Sequence, residues 1–167
     1  MYWFLIHTKP RQEVCALENL ERQGYECYLP LLRVEKLRRR QVVVTEEALF
    51  PRYLFIRLGE ESTGKSWHPI RSTRGVSQLV RFGSEPARVA DELIDLIREK
   101  ESATDTEAPR ALYQPGDRLT ITSGAFAGVD GIYQTMDGEQ RVIMLIELMQ
   151  KTTQIRVAPG DLHKTAL

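Results

Sequence analysis

The chain is poor in the residues from which most enzyme centres are built. Its 167 residues include two cysteines, Cys15 and Cys27, and three histidines, His7, His68 and His163. The cysteines form no C-x-x-C pair and have no metal-ligand spacing, and no histidine is partnered with a nucleophile. An enzyme, a metal site or a bound cofactor is therefore not expected. Each thiol reads as a small packing group. No apolar run is long enough to span a membrane. The opening MYWFLIHTKP lacks the basic start and extended apolar stretch of a signal peptide, so a reduced, cytoplasmic protein is expected. Net charge is also absent, with 23 Lys and Arg balancing 23 Asp and Glu.

What is present is globular. Hydrophobic residues make up 42% and charged residues 28%, enough for one ordinary domain or two small ones. The two halves differ in charge: residues 1–100 carry 17 basic against 14 acidic side chains, and residues 101–167 carry 6 against 9. That asymmetry is compatible with nucleic-acid contact through the first half and with weak attraction between the halves.

Tyr2 to His7 reads as a β-strand. Thr8-Lys9-Pro10 offers a helix start, Val14, Leu17 and Leu20 recur at helical spacing, and Gly24 closes the segment. Lys9, Gln12, Ala16, Asn19 and Gln23 form a separate, solvent-facing stripe. Tyr25 to Leu32 reads as a strand interrupted by Pro30, and Arg33 to Val44 as a hairpin with a strongly basic tip, Arg38-Arg39-Arg40. A solvated tip is the ordinary reading of that run, and phosphate or acidic-protein contact the alternative.

Ala48 to Leu58, ALFPRYLFIRL, alternates as a strand. It carries large apolar groups on both faces: Tyr53 and Phe55 on one, Leu54, Ile56 and Leu58 on the other. Trp67-His68-Pro69-Ile70 is either a packed corner or an exposed contact. Val76 to Phe82 is a short strand. Asp91 to Lys100 is a helix with acids first and bases last, matching the macrodipole. Residues 101–112, acidic and broken by Pro109, read as a linker. Beyond it, glycine-separated β-like runs point to a small barrel. Val142 to Met149 suits either a buried strand or a helix, and local pattern favours the strand.

Three signatures occur in order: WFLIHTKPRQE followed by L-F-P-x-Y-L-F at Leu49 to Phe55; T-R-G-V-S at Thr73 to Ser77 with V-R-F-G at Val80 to Gly83; and P-G-D with G-A-F-A-G at Gly124 to Gly128. Together they resemble the NusG family of transcription elongation factors, and within it the operon-specialised RfaH type. The resemblance implies an α+β N-terminal NGN sandwich with an antiparallel sheet (1–100), a linker (101–112) and a C-terminal KOW domain (113–167). It implies a monomer that binds the clamp helices of the largest RNA polymerase subunit through Tyr53, Phe55, Phe82 and Ile94, with Trp67 and His68 toward the opposite subunit. It implies contact with the non-template DNA strand through Lys9, Gln12, Asn19, Thr73 and Arg74. It further implies a KOW segment that folds as a helical hairpin over the polymerase-binding patch and becomes a barrel when released. Glu47 and Arg141 would then form an interdomain ion pair, and Ile132, Tyr133, Leu145 and Leu148 would cover the patch. A C-terminal partner, the ribosomal protein NusE or the factor Rho, completes the expectation.

Overall fold

The computed structural model describes residues 1–60, 66–106 and 128–157. The glycine-rich KOW-like stretch before Gly128, the linker residues beyond 106 and His163 lie outside them. Two strands, β1 (Tyr2–Thr8) and β5 (Tyr53–Leu58), form the centre of an antiparallel sheet ordered β2-β5-β1-β6, with β9 also pairing to β1. Here β2 is Glu26–Tyr28, β6 is Val76–Leu79 and β9 is Arg88–Val89, with the separate short pair β7 (Arg81–Phe82) and β8 (Glu85–Pro86) between β6 and β9. Both central strands are apolar on both faces because both faces are covered.

Side-chain alternation sorts the core into two layers. Phe4, Ile6, Leu54, Ile56 and Leu58 pack with Ala16 and Leu20 of α1 (Glu13–Arg22) and with Ile70 of the short α2 (His68–Arg71). Trp3, Leu5 and Phe55 face the other way, toward Leu93, Ile94 and Ile97 of α3 (Asp91–Thr106). On that second layer lie α4 (Val129–Gln134) and α5 (Gly138–Val157), a helical hairpin contributing Ile132, Tyr133, Leu145, Leu148 and Met149.

Several expectations are revised. The strand expected from Ala48 is interrupted: β4 (Gln41–Ala48) ends there, a turn follows, and Arg52 takes φ +71° before β5 begins. Helix α1 starts at Glu13 and not at Thr8. Thr8 instead ends β1, with its backbone N–H donating to the Arg52 carbonyl at 2.8 Å. The apolar face of α1 is Ala16 and Leu20, so Ala16 leaves the expected polar stripe while Val14 is exposed. Gly24, at φ +90°, provides the helix stop, and Tyr25 N–H reaches back to the Leu20 carbonyl. Helix α3 continues through residues 101–106, which composition assigned to the linker. Val142 to Met149 is helical, not extended, because Leu145, Leu148 and Met149 fall on one helix face that a neighbouring layer can bury.

The expected basic hairpin is β3 (Leu31–Arg38) paired with β4, with Arg38 opposite Gln41. Its two-residue turn places Arg39 at φ +50° and Arg40 at φ +64°. Two left-handed residues in a two-residue loop define a type I′ turn, which asparagine and glycine occupy with least strain. The double substitution Arg39→Asn/Arg40→Gly is expected to raise stability by about 1–2 kcal/mol, measured by denaturant unfolding.

Candidate functional site

The second layer is an apolar face with a helical cover. Phe55, fully buried at the centre of the sheet, stacks on Tyr28 at 6.1 Å between ring centroids and meets Phe50 edge-on at 6.1 Å. Ile94 is buried beside it, and Tyr53 and Phe82 pack half-buried at the margin. These four residues, expected to act together, do share one layer. Ile132, Tyr133, Leu145 and Leu148 pack in the same cluster.

Polar contacts at two places fix the cover. At the first, Arg141 is 1% exposed and each of its three guanidinium nitrogens donates a hydrogen bond. Nε donates to the Leu49 carbonyl at 2.7 Å, and Nη1 to the carbonyls of Thr135 and Met136, each at 2.9 Å. Nη2 donates to the Glu47 carboxylate at 3.3 Å, which also pairs with Lys36 at 3.2 Å. Burial pulls the Arg141 pKa down, while Glu47 and then Asp137 oppose that shift. The Glu47–Arg141 pair is present; of the three carbonyls only that of Leu49 lies on the sheet side, and those of Thr135 and Met136 belong to the hairpin, so Leu49 and Glu47 together tie Arg141 down. Close approach helps: a Cβ on Gly138 would lie 2.5 Å from Pro51 Cγ, so only glycine lets α5 start against this turn.

At the second, α3 grips α4. The Tyr133 hydroxyl donates to the Ile97 carbonyl at 2.9 Å, and Lys100 pairs with the buried Asp130. The residue after Lys100, Glu101, accepts from the Tyr28 hydroxyl and from Leu31 N–H at 3.1 Å. Burial first, then the hydrogen bond to Glu101, raises the Tyr28 pKa and keeps the phenol protonated as a donor. The Arg98 guanidinium lies over Tyr28 at 4.8 Å and over Trp3 at 5.2 Å. Sequence reading missed Lys100, Asp130, Glu101 and Arg98. Their partners are distant in the chain; pattern marks Arg98 and Lys100 only as the basic end of a helix and Glu101 as linker, and none of these carries a local sign of pairing.

A second grouping lies where α1 meets the turn before β6. Lys9 N–H donates to the Gly75 carbonyl at 2.9 Å, and a Cβ on Gly75, at φ +91°, would sit 2.8 Å from Ala16 N. That contact brings Lys9 and Gln12 beside Arg74. Lys9 and Arg74 are exposed and Gln12 is half-buried. Asn19 is half-buried, its amide donating to the Cys15 carbonyl at 2.7 Å while its oxygen accepts from Arg22 at 3.2 Å. Thr73 is 7% exposed, its hydroxyl accepting from Gln23 and donating to the Pro69 carbonyl, each at 2.8 Å. Of the five expected residues, Lys9, Gln12 and Arg74 lie together, Thr73 is buried beside them, and Asn19 is engaged within α1.

Trp67 resolves as the packed corner, in the α1 layer and away from Phe55. Its indole meets Phe4 edge-on at 5.0 Å and donates to the Gly59 carbonyl at 3.1 Å. His68 beside it is exposed. Cys27 is pushed up to about 12 by burial and then by Glu21 and Glu26, so its thiol stays protonated and acts as packing. Among the described residues, no cluster of His, Cys, Asp or Glu could hold a metal ion, and no helix is long and apolar enough to cross a membrane.

His7 lies against Tyr53, ring centroids 4.9 Å apart, with its pKa lowered from 6.5 by burial first and by Arg52 second. The unfolded chain therefore binds this proton at higher pH than the folded one. Its effect is neutral to folding well above pH 6.5 and destabilising as pH falls through that value. Melting at pH 7.5 and 5.5 is expected to show this loss in the native protein and a smaller one in His7→Gln.

Residues 1–98 match the family model described as "Transcription termination factor nusG". The chain belongs to the NusG family. It is similar to the transcription termination/antitermination protein NusG of Rickettsia bellii, 26% identical over 97% of this chain and 89% of that protein. It is equally similar to NusG of Escherichia coli O6:H1, 26% identical over 95% of this chain and 88% of the relative. A solved structure titled "Domain interaction in Thermotoga maritima NusG" aligns with a TM-score of 0.43 and 20% identity, covering 72% of this chain and 69% of that one. This NusG-family chain is accordingly a NusG-like transcription termination/antitermination factor.

Proposed function

We propose that this NusG-family protein is an operon-specific antitermination factor whose polymerase-docking face is masked by its own C-terminal hairpin. The observation that carries the reading is the shared layer: Tyr53, Phe55, Phe82 and Ile94 lie in the same cluster as Ile132, Tyr133, Leu145 and Leu148. Fully burying one large apolar side chain is worth about 1.5–3 kcal/mol, so a sheet face stripped of its hairpin is strongly driven to find another cover. The clamp helices of RNA polymerase fill that role. Docking there positions the NGN domain to suppress pausing, and the released segment refolds as a KOW barrel able to bind NusE. Recruitment to DNA falls to the α1 grouping, where Lys9 and Arg74 meet phosphates of the non-template strand and Gln12 reaches toward bases, with Asn19 and Thr73 holding the surface in shape. His68, exposed beside the packed Trp67, faces the opposite polymerase subunit.

A second reading is a general NusG factor whose C-terminal segment has one fold throughout; the relatives carry the NusG name. Circular dichroism of residues 113–167 beside the intact chain separates the two. Masking with refolding predicts helix in the intact chain that the isolated segment lacks. The same secondary structure in both contexts contradicts it.

A further inference from the structure

We propose that the tip of the β3–β4 ribbon is a separate nucleic-acid contact, gripping the phosphate backbone of duplex DNA through Arg38, Arg39 and Arg40. The ribbon forms its own two-stranded sheet, and its outer end is exposed from Glu35 through Val44. Lys36, nearer the base, is paired with Glu47, whereas no carboxylate lies within ion-pair distance of Arg38, Arg39 or Arg40 among the described residues. The positive φ of Arg39 and Arg40 marks a turn whose conformation favours other residues, and strain of that kind concentrates where a side chain serves a purpose other than folding. On one face beside the tip, Leu37 and Val42 are directly opposed, with exposures of 74% and 66%.

Size separates DNA from an acidic protein as the occupant. A stable protein interface buries about 800 Å² on each partner, more than a two-residue turn and its flanks can offer. Phosphate binding needs no such area, because each neutralised phosphate adds affinity by releasing a counterion. A two-stranded ribbon also fits the major groove, and guanidinium groups bind phosphate oxygens in pairs. The exposed Leu37 and Val42 then face thymine methyl groups and the groove wall. This site is distinct from the Lys9 and Arg74 grouping and does not depend on polymerase docking.

The test is fluorescence anisotropy of the full chain with a short DNA duplex of arbitrary sequence, titrated across KCl concentrations. The variant Arg39→Asn/Arg40→Gly keeps the turn, since its residues are the ones a type I′ turn prefers. It is expected to bind roughly tenfold or more weakly near 0.1 M salt, with a log–log salt slope shallower by about two. Arg39→Lys/Arg40→Lys is expected to keep the native slope. Unchanged affinity and slope in the Asn-Gly variant would overturn the proposal. So would a loss of polyglutamate binding in that variant with duplex binding intact, which would identify an acidic protein as the occupant.

Discussion

Arg141→Met is expected to release the α4–α5 hairpin, whereas Glu47→Ala leaves it largely docked. Methionine fills much of the volume of the arginine stem but cannot donate to the carbonyls of Leu49, Thr135 and Met136. Leaving several buried acceptors unpaired costs about 1–3 kcal/mol each before relaxation and water entry, so a net loss of roughly 3 kcal/mol is reasonable. Glu47 is a third exposed and shared with Lys36. Removing it leaves Arg141 its three carbonyls but strips the buried guanidinium of its paired carboxylate, a loss of about 1–1.5 kcal/mol for a pair with one partner a third exposed. Native-state hydrogen exchange reads this directly: α5 amides should exchange roughly a hundredfold faster in Arg141→Met and within about tenfold of native in Glu47→Ala. Equal acceleration in the two variants would assign the latch to the carboxylate instead.

Phe55→Ala is expected to lower the stability of the whole NGN sheet by about 3–5 kcal/mol, shifting its melting by roughly 10 °C or more. Phe55 has no exposure, lies on a strand bonded on both sides, and supports the rings of Tyr28 and Phe50. Leu145→Ala, on the other side of the same layer, removes a comparably buried group for about 2–4 kcal/mol. That loss falls on docking of the cover and leaves the sheet standing. Differential scanning calorimetry should show a depressed main transition for Phe55→Ala, and an almost native one with faster α5 exchange for Leu145→Ala. A sheet melting equally early in both variants would mean that hairpin and sheet unfold as one unit.

These expectations depend on features the sequence revealed unevenly. The two-faced apolar pattern of Tyr53 to Leu58 was legible because strand alternation is local, and it located both layers of the core. The basic hairpin was legible from Arg38 to Val44, although nothing in the composition indicated that Arg39 and Arg40 take left-handed conformations. Val142 to Met149 was not legible from pattern. Helix and strand propensities there differ by only tenths of a kcal/mol per residue, and the layer receiving Leu145 and Leu148 comes from residues far away in the chain. The extension of α3 was missed for a similar reason. Residues 101–106 are small and acidic, and the contacts that hold Glu101 come from Tyr28 and Leu31. In the candidate site, the apolar face and the Glu47–Arg141 pair followed from family resemblance. The carbonyl cage around Arg141 did not, since backbone acceptors leave no mark in a sequence.

The central claim, that the C-terminal hairpin masks a polymerase-docking face, is tested most directly by RNA polymerase binding of residues 1–106 beside the intact chain. The boundary at Thr106 keeps α3 whole. Melting of the fragment confirms that its sheet is folded before binding is compared. Masking predicts that the fragment binds more tightly and that added residues 107–167 in trans do not enhance it. A folded fragment that binds no better than the intact chain would contradict the account.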